Sequence, residues 1–528
     1  MFKPLTQMAT SRLRAGALVT AIAVLACAAP AAADEPPVGV SADDAGAVLD
    51  TAEATIAPET APANAEPAAD ATIALHALAT AYPALGGAER RRAKGLLARP
   101  TDGSDDPQRD GYPASAPIAS AESAHFCVFW VNAPGFPDSP SLTDANGVAD
   151  LDGVPDYVES LLQIAEYSYS VEVAPGPLGW APPKPDQEGC SASPSAHADI
   201  YLKQLGDKGL FGYETVDPGQ GRARSQYGYM VLDNDYAKAE FGYDDPTIPA
   251  SVTFAHEFNH LLQMNYDPFQ DTWMLEATAT WVEEKVYPAV NDYLGYVSVF
   301  ARFPGEAMTA YFPASKEQSL RIYGAAVWNH WLDTGGGGYG SNLIRRAWEL
   351  SDVAKPTDFA LSAYDRSIEK DGGEGFSREF VPFTAATAEW RSGFGNFPDH
   401  AAYPDVKRKG ALAKGGVKRF VLDHTAYRLI DVKPRGGGKL KLSVAADKGV
   451  RAGLALVARD GDALTGAVTQ KLRFLSNGGN GSLTLTDPGR FDRITAVVVN
   501  ADDRVNGYVG GDWVYTRDGS SFTASLSG

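Results

Sequence analysis

The chain has 528 residues, 44% of them hydrophobic, and a formal net charge of −20 at pH 7. That length holds more than one domain, and the acidic balance argues against a nucleic-acid partner while favouring solubility. One apolar run, residues 15–29, is too short for a membrane span.

Residues 1–33 read as a secretory signal peptide. Lys3, Arg12 and Arg14 form its basic start, and Ala31-Ala32-Ala33 before Asp34 is a cleavage site of the A-x-A kind. A lipoprotein anchored at Cys27 is the weaker alternative. Export leaves two cysteines, Cys127 and Cys190. A lone pair in an exported chain predicts a disulfide, and the absence of C-x-x-C spacing disfavours metal binding.

Residues 34 to about 70 are rich in Ala, Pro, Asp and Glu and read as disordered. A helical patch follows over 71–98, broken at Pro83 and Gly86-Gly87. The region 34–118 is then either a propeptide that shields the active site or a flexible stalk. It contains no Cys to latch onto a metal.

Residues 125–131 predict the first strand of a domain spanning 119–405. The run from Asp144 resembles an EF-hand loop with Asp150, Asp152, Gly153, Asp156 and Glu159 in register, although Val148 occupies the first ligand position. Two readings stand: a calcium site, or an Asp-Gly turn capping a helix over 157–171. Residues 199–202 and 227–232 read as strands.

Residues 252–263 contain His256-Glu257-Phe258-Asn259-His260. On a helix, His at i and i+4 leave the same face and grip one ion, which is the zinc signature HExxH. Glu257 points beside the metal, where a general base belongs. With eight His in the chain a chance match is rare. A catalytic zinc takes three protein ligands, and Glu276, on a second helix predicted over 272–286, is the best third. Asp267 and Asp271 fall in the Pro-containing connection instead. Glu283, two turns beyond Glu276, is either an acceptor behind a ligand His or a solvent-facing side chain.

HEFNH followed by WMLEATATW resembles the gluzincin pattern, and Trp273-x-x-Glu276-Ala277 resembles the corresponding helix of zinc aminopeptidases at a shorter spacing. His125-Phe126, residues 150–159, Gly179-Trp180, 199–202 and 255–284 resemble a bacterial, myxobacterial-type family of secreted metalloproteases over roughly 120–405. The resemblance implies an α+β fold with a gluzincin-like catalytic domain, a mixed sheet beside active-site helices. It also implies one zinc per chain. By the same analogy the oxyanion donor is Tyr323, in a helical stretch over 321–332, with His330 as competitor.

Residues 333–340 are a Gly-rich loop without the Lys-Ser/Thr of a phosphate site, which excludes nucleotide binding. Over 410–528, short alternating runs separated by Gly, Asn and Asp predict an all-β sandwich domain. The expectation is a secreted, monomeric zinc-dependent metallopeptidase acting on protein or peptide substrates, with Glu257 as general base. The lack of an amine-anchoring Gly-x-Met-Glu-Asn motif favours an endopeptidase. The rivals are an exported surface- or glycan-binding protein with structural zinc, and a zinc hydrolase of cell-wall peptides or glycoproteins.

Overall fold

A computed structural model describes residues 42–59, 70–103, 111–141, 153–185, 197–221, 223–312, 315, 317–351, 359–433, 438–509 and 512–528. The predicted signal segment with Cys27, the loop residues Asp150 and Asp152, and Cys190 lie outside them. Cys127 is disulfide-bonded. Asp156 and Glu159 sit exposed in the first turn of the helix that follows the predicted calcium loop.

The N-terminal part is helical: α1 (Ala42–Ile56), α2 (Ala71–Ala81) and α3 (Gly87–Leu96). This corrects the reading of 34–70 as disordered throughout. Ala45, Leu49, Ala52 and Ile56 recur at helical spacing and are all buried. Alanine supplies so little apolar area that this stripe is hard to see without its neighbours, Leu75, Leu78, Leu85 and Leu96. Asp70 caps α2, its Oδ1 accepting the Ile73 N–H at 2.8 Å. Beyond α3, the buried Arg99 guanidinium grips Asp217 through Nε at 3.0 Å and Nη2 at 2.8 Å, and also pairs with Asp199.

The central sheet comprises β1 (Ile118–Glu122), β2 (Phe126–Val131), β3 (Ala198–Lys203), β4 (Gly212–Val216) and β5 (Gly228–Asp233), in the order β1-β2-β3-β5-β4. β2, β3 and β5 run parallel, and the edge strands β1 and β4 are antiparallel to them. α4 (Asp156–Glu172) connects β2 to β3. Then come α5 (Lys238–Phe241), α6 (Thr247–Gln263), α7 (Thr272–Val286), α8 (Leu294–Arg302), α9 (Arg321–Gly324), α10 (Ala326–Asp333), α11 (Asn342–Leu350), α12 (Ala360–Lys370) and α13 (Phe376–Ala386). α6 docks on the sheet through aromatic edges: Phe126 lies 5.3 Å from Phe254 and 5.2 Å from Phe258, ring centre to ring centre.

The C-terminal strands are β6 (Arg408–Leu412), β7 (Val417–Leu422), β8 (Tyr427–Val432), β9 (Lys439–Ala446), β10 (Ala452–Asp460), β11 (Ala467–Leu475), β12 (Gly479–Thr486), β13 (Arg493–Asn500), β14 (Val505–Val509), β15 (Asp512–Tyr515) and β16 (Ser520–Ser527). They form a five-stranded sheet, β11-β10-β13-β8-β6, a four-stranded sheet, β12-β9-β16-β7, and a hairpin of β14 and β15. Ile430, Leu442, Val444, Leu454, Leu456 and Val498 share the core between the two sheets. The fold is therefore α+β with mixed sheets and a β-rich C-terminal region. No helix among the described residues is long and apolar enough to cross a membrane.

The central strands of the five-stranded sheet, β10, β13 and β8, are buried on both faces. Leu429, Ala455, Val457, Val497 and Val499 join the core of the helical part. Arg459 Nε bonds Glu389 Oε2 across this junction at 2.8 Å. At Gly453 a Cβ would lie 2.4 Å from a Val381 methyl on α13. Gly453→Ala is expected to destabilise the chain by about 1–3 kcal/mol through overpacking. An unchanged urea midpoint would contradict that docking.

Candidate metal centre

α6 is buried along nearly its whole length, and His256 and His260 project from one face of it. α7 returns beside it and brings Glu276 to the same point. The two Nε2 atoms are 3.0 Å apart. Glu276 Oε2 lies 3.1 Å from His256 Nε2 and 3.5 Å from His260 Nε2. His260 and Glu276 are wholly inaccessible, and His256 nearly so.

The backs of both imidazoles are engaged. His256 Nδ1 meets Glu283 Oε1 at 2.6 Å, so the acceptor reading of Glu283 is the one its position matches. His260 Nδ1 meets Gln263 Oε1 at 2.9 Å. The Gln263 amide donates to Asn259 Oδ1 at 2.8 Å and to the Leu275 carbonyl at 3.1 Å, and Asn259 donates to Glu172 Oε2 at 3.1 Å. Proton positions on a His follow from its partners. With the N–H of each ring on Nδ1, two unprotonated Nε2 atoms and a carboxylate oxygen face one another with no donor between them.

Three buried acceptors converge only where a positive charge, a metal ion or a proton on an imidazole, sits among them. Glu276 Oε1 also has no hydrogen-bond partner among the described residues. Two N donors and one O donor are a zinc set, and bonds of about 2.0–2.1 Å in a tetrahedron place ligand atoms about 3.3–3.4 Å apart. The separations here bracket that value, so the residues fit the ion.

Without an ion, protons on the imidazoles answer the same buried negative charge, and a bound zinc would displace them. Burial opposes the charge on Glu276, yet the two imidazoles hold its pKa well below the usual carboxylate range. Burial likewise opposes protonation of the rings. Glu276 nevertheless raises His260 to about 9, and Glu276 with Glu283 raises His256 well above its ordinary value. Removing Glu283 by Glu283→Ala is expected to weaken zinc binding about 10–100-fold, as loss of an outer partner to a ligand His does. Zinc titration against a fluorescent chelator reads this, and unchanged affinity would mean that Glu283 does not orient His256.

Glu257 lies outside the triad. It is buried, burial raises it to about 7 against the pull of both imidazoles, and its Oε2 accepts from Thr72 Oγ1 at 3.0 Å. The Tyr323 ring stacks on His256 at 5.7 Å and 17°, and its hydroxyl donates to Asp70. His330 instead packs on Tyr293 at 4.9 Å, and burial with nearby Lys285 depresses it to about 3. Of the two proposed donors, Tyr323 is the one placed against the triad. Asp271 accepts from the Ala360 N–H at 3.1 Å, and Asp267 from the Phe269 N–H at 3.2 Å.

Sequence reasoning missed Gln263, Asn259, Asp70, Thr72 and Glu214. Gln263, three residues after His260 on one helix, was findable from spacing. Asn259, four residues before Gln263 on that helix, was findable in the same way, and Asp70, Thr72 and Glu214 depend on contacts remote in sequence.

A second carboxylate group, Asp233, Asp235 and Glu240, also gathers its oxygens closely. Asp233 is occupied by four backbone N–H groups, those of Leu205, Gly206, Asp235 and Tyr236, and organises a turn.

No family model matches the chain, and no curated protein does. Among solved structures it is similar to the pre-peptidase C-terminal domain of a collagenase from Bacillus anthracis, at 11% identity and a TM-score of 0.15, covering 23% of this chain and 97% of that one. It is also similar to a family 16 carbohydrate-binding module, at 14% identity and a TM-score of 0.15, covering 22% and 79%. A third is a family 115 4-O-methyl-α-glucuronidase, at 9% identity and a TM-score of 0.11, covering 56% and 45%. At these scores none assigns a fold or an activity.

Proposed function

We propose that the chain is an exported zinc-dependent peptidase of gluzincin type that cuts within proteins or peptides. The observation that carries this reading is the pairing of a converged His256–His260–Glu276 triad with a separate buried carboxylate, Glu257. A structural zinc site has no use for a base at that place. A zinc ion held by the triad would supply Lewis acidity, polarising a substrate carbonyl and acidifying water.

The chain's own groups divide the remaining work. Glu257 takes the proton from the attacking water and returns it to the departing amine nitrogen. Tyr323 donates a hydrogen bond to the carbonyl oxygen as negative charge develops there. Glu283 and Gln263 hold the two imidazoles in the tautomer that leaves Nε2 facing the ion. The edge strand β4 is where an extended peptide would pair once the segment lying along it is displaced. Export rests on residues 1–33. The C-terminal β region supplies packing here, and contact with a surface or glycan remains the competing role for it.

Casein degradation, assayed with the full chain and with chain cut after Gly103, tests the reading. Activity is expected to vanish with a zinc chelator and to return on adding zinc. Degradation that persists after zinc has been stripped would overturn it.

A further inference from the structure

In the structure α2 lies along the outer edge of β4 and reaches every working part of the site. Asp70, its N-cap, accepts the Tyr323 hydroxyl proton. The Tyr323 ring stacks on His256 at 5.7 Å, which sets its Asp70 partner beside the triad. The Thr72 hydroxyl donates to Glu257 Oε2 at 3.0 Å and accepts the outward N–H of Glu214 on β4, also at 3.0 Å. His76 Nε2 meets Glu214 Oε2 at 2.6 Å, and its ring centre is 6.5 Å from that of His260. A carboxylate on the oxyanion donor, a hydroxyl on the base and a partner for the edge strand are the contacts a bound peptide would make.

We propose that residues 70–76 occupy the substrate cleft as a built-in ligand and keep the chain latent until they withdraw. This rests on the peptidase reading of the same site. The segment carrying α2 continues into the rest of the chain beyond Gly103, so a cut there breaks the covalent link and leaves its packing and the Arg99 pairs with Asp199 and Asp217 to be released. A site closed 99% of the time lowers the apparent affinity for any competing ligand about 100-fold.

The test uses full-length, zinc-loaded protein with a specific protease site inserted after Gly103 and cut after folding. The probe is a dansylated peptide hydroxamate, whose binding needs the metal centre but no turnover. Cutting and removing the N-terminal fragment is expected to tighten binding at least about 10-fold. In the uncut chain, Asp70→Asn keeps the cap oxygen but removes the charge. It is expected to tighten binding in the same direction and to speed hydrogen exchange of the α2 amides, with or without zinc. Equal probe affinity before and after cutting, with unchanged exchange in Asp70→Asn, would make α2 a fixed wall and overturn the proposal. Failure of the peptidase reading is separate: it shows as tight probe binding by cut protein that leaves casein intact.

A second inference concerns Glu214 and rests on the same withdrawal of residues 70–76. Its carboxylate is fully buried, and its Oε1 has no hydrogen-bond partner among the described residues. The His76 ring that covers Oε2 belongs to the departing segment. A buried carboxylate left without a partner is costly, and a cationic side chain satisfies it. We infer that Glu214 forms a subsite for a Lys or Arg side chain. In the cut protein, a lysine-containing peptide hydroxamate is expected to bind about 10–100-fold more tightly than its norleucine counterpart, with Glu214→Gln abolishing the difference. Equal binding of the two probes, or an equal loss for both in Glu214→Gln, would assign Glu214 a structural role.

Discussion

Glu276→Gln is expected to lose zinc. The wild-type chain should carry one ion per molecule, and the variant should retain little after dialysis. Glu276 Oε2 lies within 3.1 and 3.5 Å of the two Nε2 atoms, and its amide replacement carries no charge. Loss of an outer partner alone costs about 10–100-fold in metal affinity, and loss of a direct ligand should cost more. The substitution is nearly isosteric, so the α6–α7 packing should survive and the far-ultraviolet circular dichroism should not change. Zinc content by mass spectrometry after equilibrium dialysis is the readout. A variant that keeps one zinc per chain would remove Glu276 from the ligand set.

Glu257→Gln is expected to do the opposite: keep the zinc and lose turnover. Glu257 touches Thr72 rather than either ligand nitrogen. A general base contributes about 10²–10⁴-fold to rate, so the fall in kcat should lie in that range while KM changes little. An amide accepts a hydrogen bond from water but cannot take its proton. Loss of zinc together with activity would show that Glu257 acts as a ligand and that the division of roles is wrong.

Much of this site could be read from local sequence because its parts are local. His256 and His260 are four residues apart on one helix, and the predicted second helix over 272–286 coincides with α7. Glu276 was identifiable because a carboxylate among Met274, Leu275, Ala277 and Ala279 must be paired or bound. Two exchanges with the bulk of the fold were not legible. Thr72 and Glu257 are 185 residues apart, and Asp70 and Tyr323 are 253 apart. No spacing rule links such pairs, because only the folded chain brings them together.

The C-terminal strands show a signal that was present but under-used. Residues 454–458 and 496–499 are continuous apolar runs rather than alternating ones. Continuous runs mark strands buried on both faces. They announce that this sheet packs on the helical part as well as on its partner sheet, so the boundary near 405–410 is a buried seam. α1 failed for a different reason. A stripe built mainly of alanine resembles the low-hydrophobicity composition of disordered segments until its packing partners are known.

The most direct measurement is the mapping of new peptide N-termini in casein after incubation with zinc-loaded protein from which the segment before Gly103 has been cut and removed. The account predicts discrete new N-termini from wild type and none from Glu257→Gln at equal zinc content. If wild type binds one zinc and the hydroxamate yet generates no new N-termini, the chain is not a peptidase.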